Sequence, residues 1–154
     1  MGKFSRLARW AIITGPAVVQ MVQRYGPVLK KFAKDNPDTV DQLSSKLKNY
    51  QKAKRKTGIE GAATRIAVLK QQVSFLYASA NTAAVAQQAT EWKAELTKLE
   101  VSLPLIDVMS TAEKRRKLKE ITAKIDQLAS EVLAAVVEDE VEDAIIIDNE
   151  NEVE

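Results

Sequence analysis

Residues 62–80 read AATRIAVLKQQVSFLYASA, and the spacing of their apolar side chains decides the fold class. Apolar residues recur there in steps of three and four, the a/d spacing that places an apolar seam along one side of a helix. Two later segments repeat the spacing. The three seams are Ala62, Ile66, Leu69, Val73, Leu76 and Ala80; then Val85, Ala89, Trp92, Leu96, Leu99 and Leu103; then Leu118, Ile121, Ile125, Leu128, Val132 and Ala135. They predict three long helices packed against each other or against a partner.

The helix boundaries follow from prolines and from residues that cap helices. Asn36 and Pro37 suit an N-cap and a first helical turn, and the segments 57–60 and 110–113 match capping boxes. Pro104 disfavours helical geometry in the residue before it, which predicts a helix end near Leu103. We therefore expect an all-α antiparallel helical bundle with heptad-like seams. Its helices are expected near 38–56, 58–80, 83–103 and 112–138.

The residue types that are missing limit the chemistry. The sequence contains no Cys and no His, which excludes a disulfide scaffold, a thiolate metal site and any triad built on histidine. It also contains no glycine-rich loop of the kind that holds phosphates. We expect a protein that is not an enzyme, with no catalytic residue, cofactor or metal site.

Charge is distributed unevenly along the chain, although the net charge is only +2. Residues 1–70 contain 15 basic and 4 acidic side chains, and residues 71–137 contain 8 of each. Residues 138–154 contain 9 acidic side chains and no basic one. The distribution predicts a basic N-terminal segment (1–34), a helical bundle (35–138) and a disordered acidic tail (139–154).

The N-terminal segment combines basic and apolar residues around two Gly-Pro pairs, at 15–16 and 26–27. We expect short, kinked amphipathic helices over residues 3–34. The apolar run of about 13 residues is too short to span a bilayer, which takes roughly 20. One interpretation is attachment to an anionic membrane surface; the other is a further bundle helix with solvated charges. The residues predicted to contact the membrane are Lys3, Phe4, Arg6, Arg9, Trp10 and Arg24.

Two basic clusters form a second candidate site. Their members are Lys52, Lys54, Arg55 and Lys56, and Lys114, Arg115, Arg116 and Lys117. Such clusters neutralise the phosphates of nucleic acids, but they are also typical of the solvated faces of helices. Few aromatic residues lie near them to stack on bases.

The acidic tail is open to three interpretations. It is a disordered solubilising end, a cover for the basic head of its own chain (residues 1–70), or a short motif in which Ile145, Ile146 and Ile147 add a strand to a partner.

We expect a non-enzymatic helical interaction or scaffold protein, cytoplasmic and attached peripherally to the membrane through residues 3–34. A protein partner or self-association is expected, and no small-molecule substrate is implied. The alternative is a nucleic-acid-associated helical protein whose acidic tail competes electrostatically with the nucleic acid.

Overall fold

The structure, a computed structural model, describes residues 34–152 together with Gln23 and Lys31; the side chains at 39, 40, 141 and 144–152 lie outside that description. Within these limits the chain is all-helical, with no strand, as the apolar spacing predicts. The helices are α1 (Pro37–Ala53), α2 (Gly58–Ser79), α3 (Ala83–Asp107) and α4 (Thr111–Glu152). The helices predicted within residues 3–34 lie outside the described residues.

Helix α2 lies at the centre of the bundle, in contact with the other three helices. The guanidinium Nη1 of Arg65 is 3.5 Å from Oδ1 of Asp126, and the hydroxyl of Ser79 donates to Oδ2 of Asp139 at 2.9 Å. Because the two pairs advance in the same direction along both helices, α2 and α4 run parallel. Helix α3 connects them and runs antiparallel to both.

Helix α1 packs against α2 and α4 in the opposite direction. The Tyr50 hydroxyl donates to Oδ1 of Asp126 at 3.0 Å, whereas Nζ of Lys46, one turn earlier, is 3.9 Å from Oε1 of Glu140. The contact on α4 therefore moves towards the C-terminus as α1 is followed towards its N-terminus. The four helices alternate in direction along the chain.

The apolar side of each helix faces a common core. Thirteen of the eighteen positions in the predicted seams are at most 9% exposed: Ala62, Ile66, Leu69, Val73, Leu76, Ala89, Trp92, Leu96, Leu103, Ile121, Ile125, Leu128 and Val132. Leu43, Leu47 and Tyr50 of α1 complete the core. Burying one such side chain contributes about 1.5–3 kcal/mol, which explains why the apolar spacing decides the arrangement of the helices.

Proline does not end α3 where the sequence predicts. The helix passes through Pro104 and continues to Asp107, so the predicted end near Leu103 is wrong. Proline removes one backbone hydrogen bond, and at this position the loss falls only one turn before the helix ends. Leu103 and Ile106, 4% and 3% exposed, anchor that turn in the core and offset the loss.

Helix α4 is also longer than predicted. It does not stop near Glu138 but continues to Glu152, so residues 139–152 are helical where the sequence predicts a disordered acidic tail. Neither glycine nor proline interrupts this segment. Contacts of Asp139 with Ser79 and of Asp143 with Asn81 hold its first turns against the end of α2.

The capping residues are partly as predicted. Thr82 caps α3 by accepting a hydrogen bond from the Val85 amide at 3.2 Å. The capping box predicted at 57–60 does not form through its threonine side chain, because Thr57 makes no such cap. The turn instead depends on Gly61: a Cβ atom there would lie 2.2 Å from the carbonyl oxygen of Lys56.

Candidate interaction surface

A row of exposed apolar side chains follows the outer side of α3. Val101, Leu105 and Val108 are 64%, 63% and 84% exposed, and they are three of only five large apolar side chains exposed among the described residues. Val101 and Leu105 lie one turn apart on the same side of α3, and Val108 follows the last helical residue as the C-cap. We call these three residues the α3 face.

The α3 face points away from the core. An α-helix turns by about 100° per residue, so Val101 and Leu105 project roughly opposite to Leu103, which lies midway between them in the sequence. Leu103 is almost completely buried. The described helices therefore fill their core without the α3 face.

The second predicted basic cluster lies at the same end of the bundle as the α3 face, at the start of α4. Nζ of Lys114 is 2.8 Å from Oδ1 of Asp107, the last residue of α3. Lys117 pairs with Glu120 at 3.4 Å. The side chains of Arg115 and Arg116 are exposed. Positive charge therefore lies beside the apolar α3 face.

In the first predicted basic cluster, at the end of α1, one lysine pairs with an acidic residue and the other three basic residues are exposed. Nζ of Lys54 is 4.0 Å from Oδ2 of Asp126. Lys52, Arg55 and Lys56 are exposed. On α4, Asp126 lies ten residues after Arg116, which is about 15 Å along the helix. The structure thus does not merge the two clusters into one patch.

A buried polar cluster ties together α1, α2 and α4. Arg65, 9% exposed, donates from Nη2 to the carbonyl oxygen of Lys54 at 2.9 Å and pairs with Asp126. Asp126 also accepts from the Tyr50 hydroxyl. Burial and then the charge of Asp126 raise the pKa of Tyr50. These groups are occupied by contacts between helices, which indicates a structural role.

A second cluster of charged groups lies where α4 passes the end of α2. Burial raises the pKa of both Asp139 and Glu140, and burial lowers the pKa of Lys46 despite the two nearby carboxylates. Nζ of Lys46 also lies 3.7 Å from the ring centre of Phe75. The lysine connects α1 to both α2 and α4, so this cluster too stabilises the packing of the helices.

Trp92 borders a groove of about 290 Å³ between α3 and α4. Its Nε1 donates to Oε2 of Glu131 at 3.3 Å, and Glu91, Glu95 and Lys124 also line the groove. No group of three or more acidic side chains in the described residues is arranged to hold a metal ion. Trp92 itself is largely buried, as its place on the apolar seam predicts.

The residues predicted to contact a membrane, Lys3, Phe4, Arg6, Arg9, Trp10 and Arg24, all lie outside the described residues. In the part of the chain that the structure describes, none of the helices combines the length and the apolar character needed to cross a bilayer.

The α3 face is the candidate site that reasoning from the sequence missed. The spacing of Val101, Leu105 and Val108 is visible in the sequence, but it extends beyond Pro104, where the predicted helix ended.

Comparisons with protein families, with curated proteins and with solved structures find no match to this chain.

Proposed function

We propose that this chain is a non-enzymatic helical interaction protein attached peripherally to an anionic membrane surface on the cytoplasmic side. The bundle presents the α3 face to a protein partner, and residues 3–34 provide the attachment. The α3 face is the observation that carries the proposal. Two of its large apolar side chains are aligned on a helix whose opposite side is buried in the core, and the third, Val108, directly follows that helix.

Exposed apolar side chains are common when they occur singly, but an aligned set marks an interaction surface. Each square ångström of apolar surface removed from water contributes roughly 25 cal/mol. A partner that covers Val101, Leu105 and Val108 therefore gains free energy without any rearrangement of the bundle. The neighbouring exposed arginines, Arg115 and Arg116, favour a partner with acidic groups.

The polar clusters support an interaction protein over an enzyme. The charged groups with displaced pKa values, Lys46, Asp139 and Glu140, lie between helices and contact one another or Ser79. Displaced pKa values can mark catalytic groups. Here, burial at helix contacts accounts for them.

A photo-crosslinking residue tests the role of the α3 face. Placed at position 105 of the full chain, it is expected to give a discrete protein adduct on illumination in cells. The matched control is the same residue at position 123, where Ala123 is exposed on α4. Adducts from both positions in equal yield, or from neither, would contradict the proposal.

The membrane attachment is tested with full-length protein and vesicles that contain phosphatidylserine. Phe4 and Trp10 would enter the interface while Lys3, Arg6 and Arg9 meet the lipid headgroups. The triple variant Lys3→Glu, Arg6→Glu, Arg9→Glu is expected to lose sedimentation with the vesicles.

The control for that experiment has the same change in charge at the start of α4. Arg115→Glu, Arg116→Glu and Lys119→Glu alter three exposed residues of the bundle. We expect this variant to sediment with the vesicles as the parent chain does. Equal loss in both variants would contradict attachment through residues 3–34 and would indicate a general effect of charge.

A nucleic-acid-associated protein is the second candidate, favoured by the exposure of Lys52, Arg55, Lys56, Arg115 and Arg116. It predicts binding to DNA or RNA that weakens steeply with salt and strengthens when residues 138–154 are removed. Absent binding, or binding unchanged by that removal, would contradict this function.

A further inference from the structure

We infer that the partner of the α3 face is a second copy of this chain, which packs its own α3 face there in the opposite direction. The result is a two-fold symmetric dimer in which the two α3 helices run antiparallel. The inference rests on the proposed function, because it names the partner of the surface on which that function depends.

Helix α3 has a second seam on the side opposite its buried one. Exposed positions follow each other there in alternating steps of three and four residues, the spacing that lets two helices pack along their length. This outer seam consists of Glu91, Ala94, Lys98, Val101, Leu105 and Val108, all exposed. Each of them follows by two residues a position that packs in or against the core, and two residues correspond to about 200° around a helix. The helix therefore has one seam for its own core and one that points outwards.

The charges along this outer side are self-complementary when two copies run antiparallel. Before the α3 face the order is acidic and then basic: Glu91, Glu95, Lys98. After it the order is again acidic and then basic: Asp107, Arg115, Arg116. All six side chains are exposed. Glu100 does not belong to this set, because it pairs with Lys70 of α2 at 3.0 Å.

Turning one copy end to end places unlike charges together at both ends of the contact. Lys98 of one copy then lies opposite Asp107 of the other, and the two arginines lie towards the two glutamates. A parallel arrangement would place each charge beside its own equivalent, which is repulsive. A different protein would have to reproduce this order of charges in reverse, whereas a second copy supplies it by symmetry.

The apolar side chains meet at the centre of the same arrangement. With the two-fold axis level with Leu103, Val101 of one copy lies opposite Leu105 of the other, and the symmetry repeats this contact. Each α3 face is then covered by the other, and no helix has to move. The opposite side of α3 keeps its place in the core, since Leu103 and Ile106 are buried there.

Sedimentation equilibrium of the full-length chain tests the association. Three apolar side chains from each copy make a small contact, so we expect a reversible equilibrium between monomer and dimer below about 1 mM protein. No larger species should form, because a two-fold interface uses the same surface on both copies and leaves none free.

A variant of the α3 face tests which surface forms the dimer. Leu105→Gln should bind itself at least about tenfold more weakly than the parent chain binds itself, because each copy contributes one leucine to the contact. Tyr77→Gln, which alters an exposed side chain on α2, is the control and should associate as the parent chain does. Circular dichroism of each variant checks that the helices are retained.

Cysteine pairs test the orientation. The chain contains no Cys, so an introduced thiol can pair only with another introduced thiol. A mixture of Lys98→Cys and Val108→Cys should form a disulfide between the two variants on mild oxidation, whereas neither variant alone should do so. In the antiparallel dimer two equivalent positions lie about 15 Å apart along the axis, and a disulfide requires Cα atoms within about 7 Å. A disulfide formed by Lys98→Cys alone, with none in the mixture, would indicate a parallel pair and overturn the inference.

Other outcomes overturn the inference in recognisable ways. If Leu105→Gln dimerises as strongly as the parent chain, another surface forms the dimer. If the parent chain stays monomeric up to about 1 mM but the residue at position 105 crosslinks a different protein, the partner is not a second copy, and the proposed function stands. If that residue crosslinks only to residues 1–34 of its own chain, those residues occupy the α3 face. Absence of both self-association and crosslinking removes the inference and the proposed role of the α3 face together.

Discussion

Tyr50→Phe is expected to lower stability at pH 8, and this loss should disappear at high pH. Tyr50 is 1% exposed and donates its hydroxyl hydrogen to Asp126 at 3.0 Å. A hydrogen bond to a charged group contributes about 1.5–3 kcal/mol, and Asp126, still near Arg65 and Lys54, is partly solvated. We therefore expect Tyr50→Phe to lower the free energy of unfolding by about 1–2 kcal/mol at pH 8.

The difference should disappear at high pH. Burial, followed by the carboxylate of Asp126, raises the pKa of Tyr50 above its ordinary value of 10.0. A raised pKa stabilises the fold fully below pH 10, and that contribution is lost as the pH rises further, because the unfolded chain ionises while the folded chain does not. At pH 11 the loss is about 1.4 kcal/mol. The phenylalanine variant has no such group, so parent and variant should have nearly equal stability there.

The measurement is urea unfolding followed by circular dichroism at pH 8, 9, 10 and 11. Taking the difference between parent and variant at each pH cancels the titration of all other groups. Tyr77→Phe, which removes an exposed hydroxyl, is the control and should stay within about 0.5 kcal/mol of the parent at pH 8. If the free energies of unfolding of the parent and Tyr50→Phe differ by the same amount from pH 8 to pH 11, the Tyr50 hydroxyl is not buried and hydrogen-bonded as described.

Two further predictions concern the turn before α2 and the polar cluster at its end. Gly61→Ala should destabilise the fold by about 1–3 kcal/mol, because the new Cβ collides with the carbonyl of Lys56. Helix propensity alone predicts the opposite, a gain of about 1 kcal/mol. A lower urea midpoint for the variant would support the collision, and a higher one would contradict it. Asp139→Asn should raise the urea midpoint at pH 7, because burial raises the pKa of this carboxyl despite its bond from Ser79. A carboxyl with a raised pKa contributes its full stabilisation below the pKa it has in the unfolded chain, and that stabilisation is lost at higher pH. The gain in stability from Asp139→Asn should therefore vanish near pH 3.8. A gain that persists in acid, or a loss of stability at pH 7, would contradict this prediction.

The apolar spacing predicts the core well for a physical reason. Residues such as Ile66, Leu96 and Ile125 are fully buried, because a helix can bury only one side and their spacing defines that side. No comparable pattern in the sequence predicts the polar contacts between the helices. Asp126 meets Tyr50 and Arg65, which are 76 and 61 residues away in the sequence, only because three helices pack together.

The errors in helix length share a cause. Local preferences at Pro104 and in the acidic residues after Glu138 disfavour helix, but contacts from elsewhere in the bundle outweigh them. Ile106 fits into the core after the proline, and Ser79 holds α4 at Asp139. The shortened prediction for α3 also concealed the α3 face, since Leu105 lies in the missing turn and Val108 directly follows it.

Helix α4 has its charges placed against its own macrodipole. Backbone amides give the N-terminal end of a helix a partial positive charge and the C-terminal end a partial negative charge, yet basic residues follow Glu113 at the start, and the last turn contains Glu150 and Glu152. An unfavourable charge at a helix end costs roughly 0.3–1 kcal/mol, and the contact of Lys114 with Asp107 relieves only part of it at the first end. Opposite charge bound at either end of α4 would remove the repulsion there, so a ligand of that charge would also stabilise the helix end that it binds.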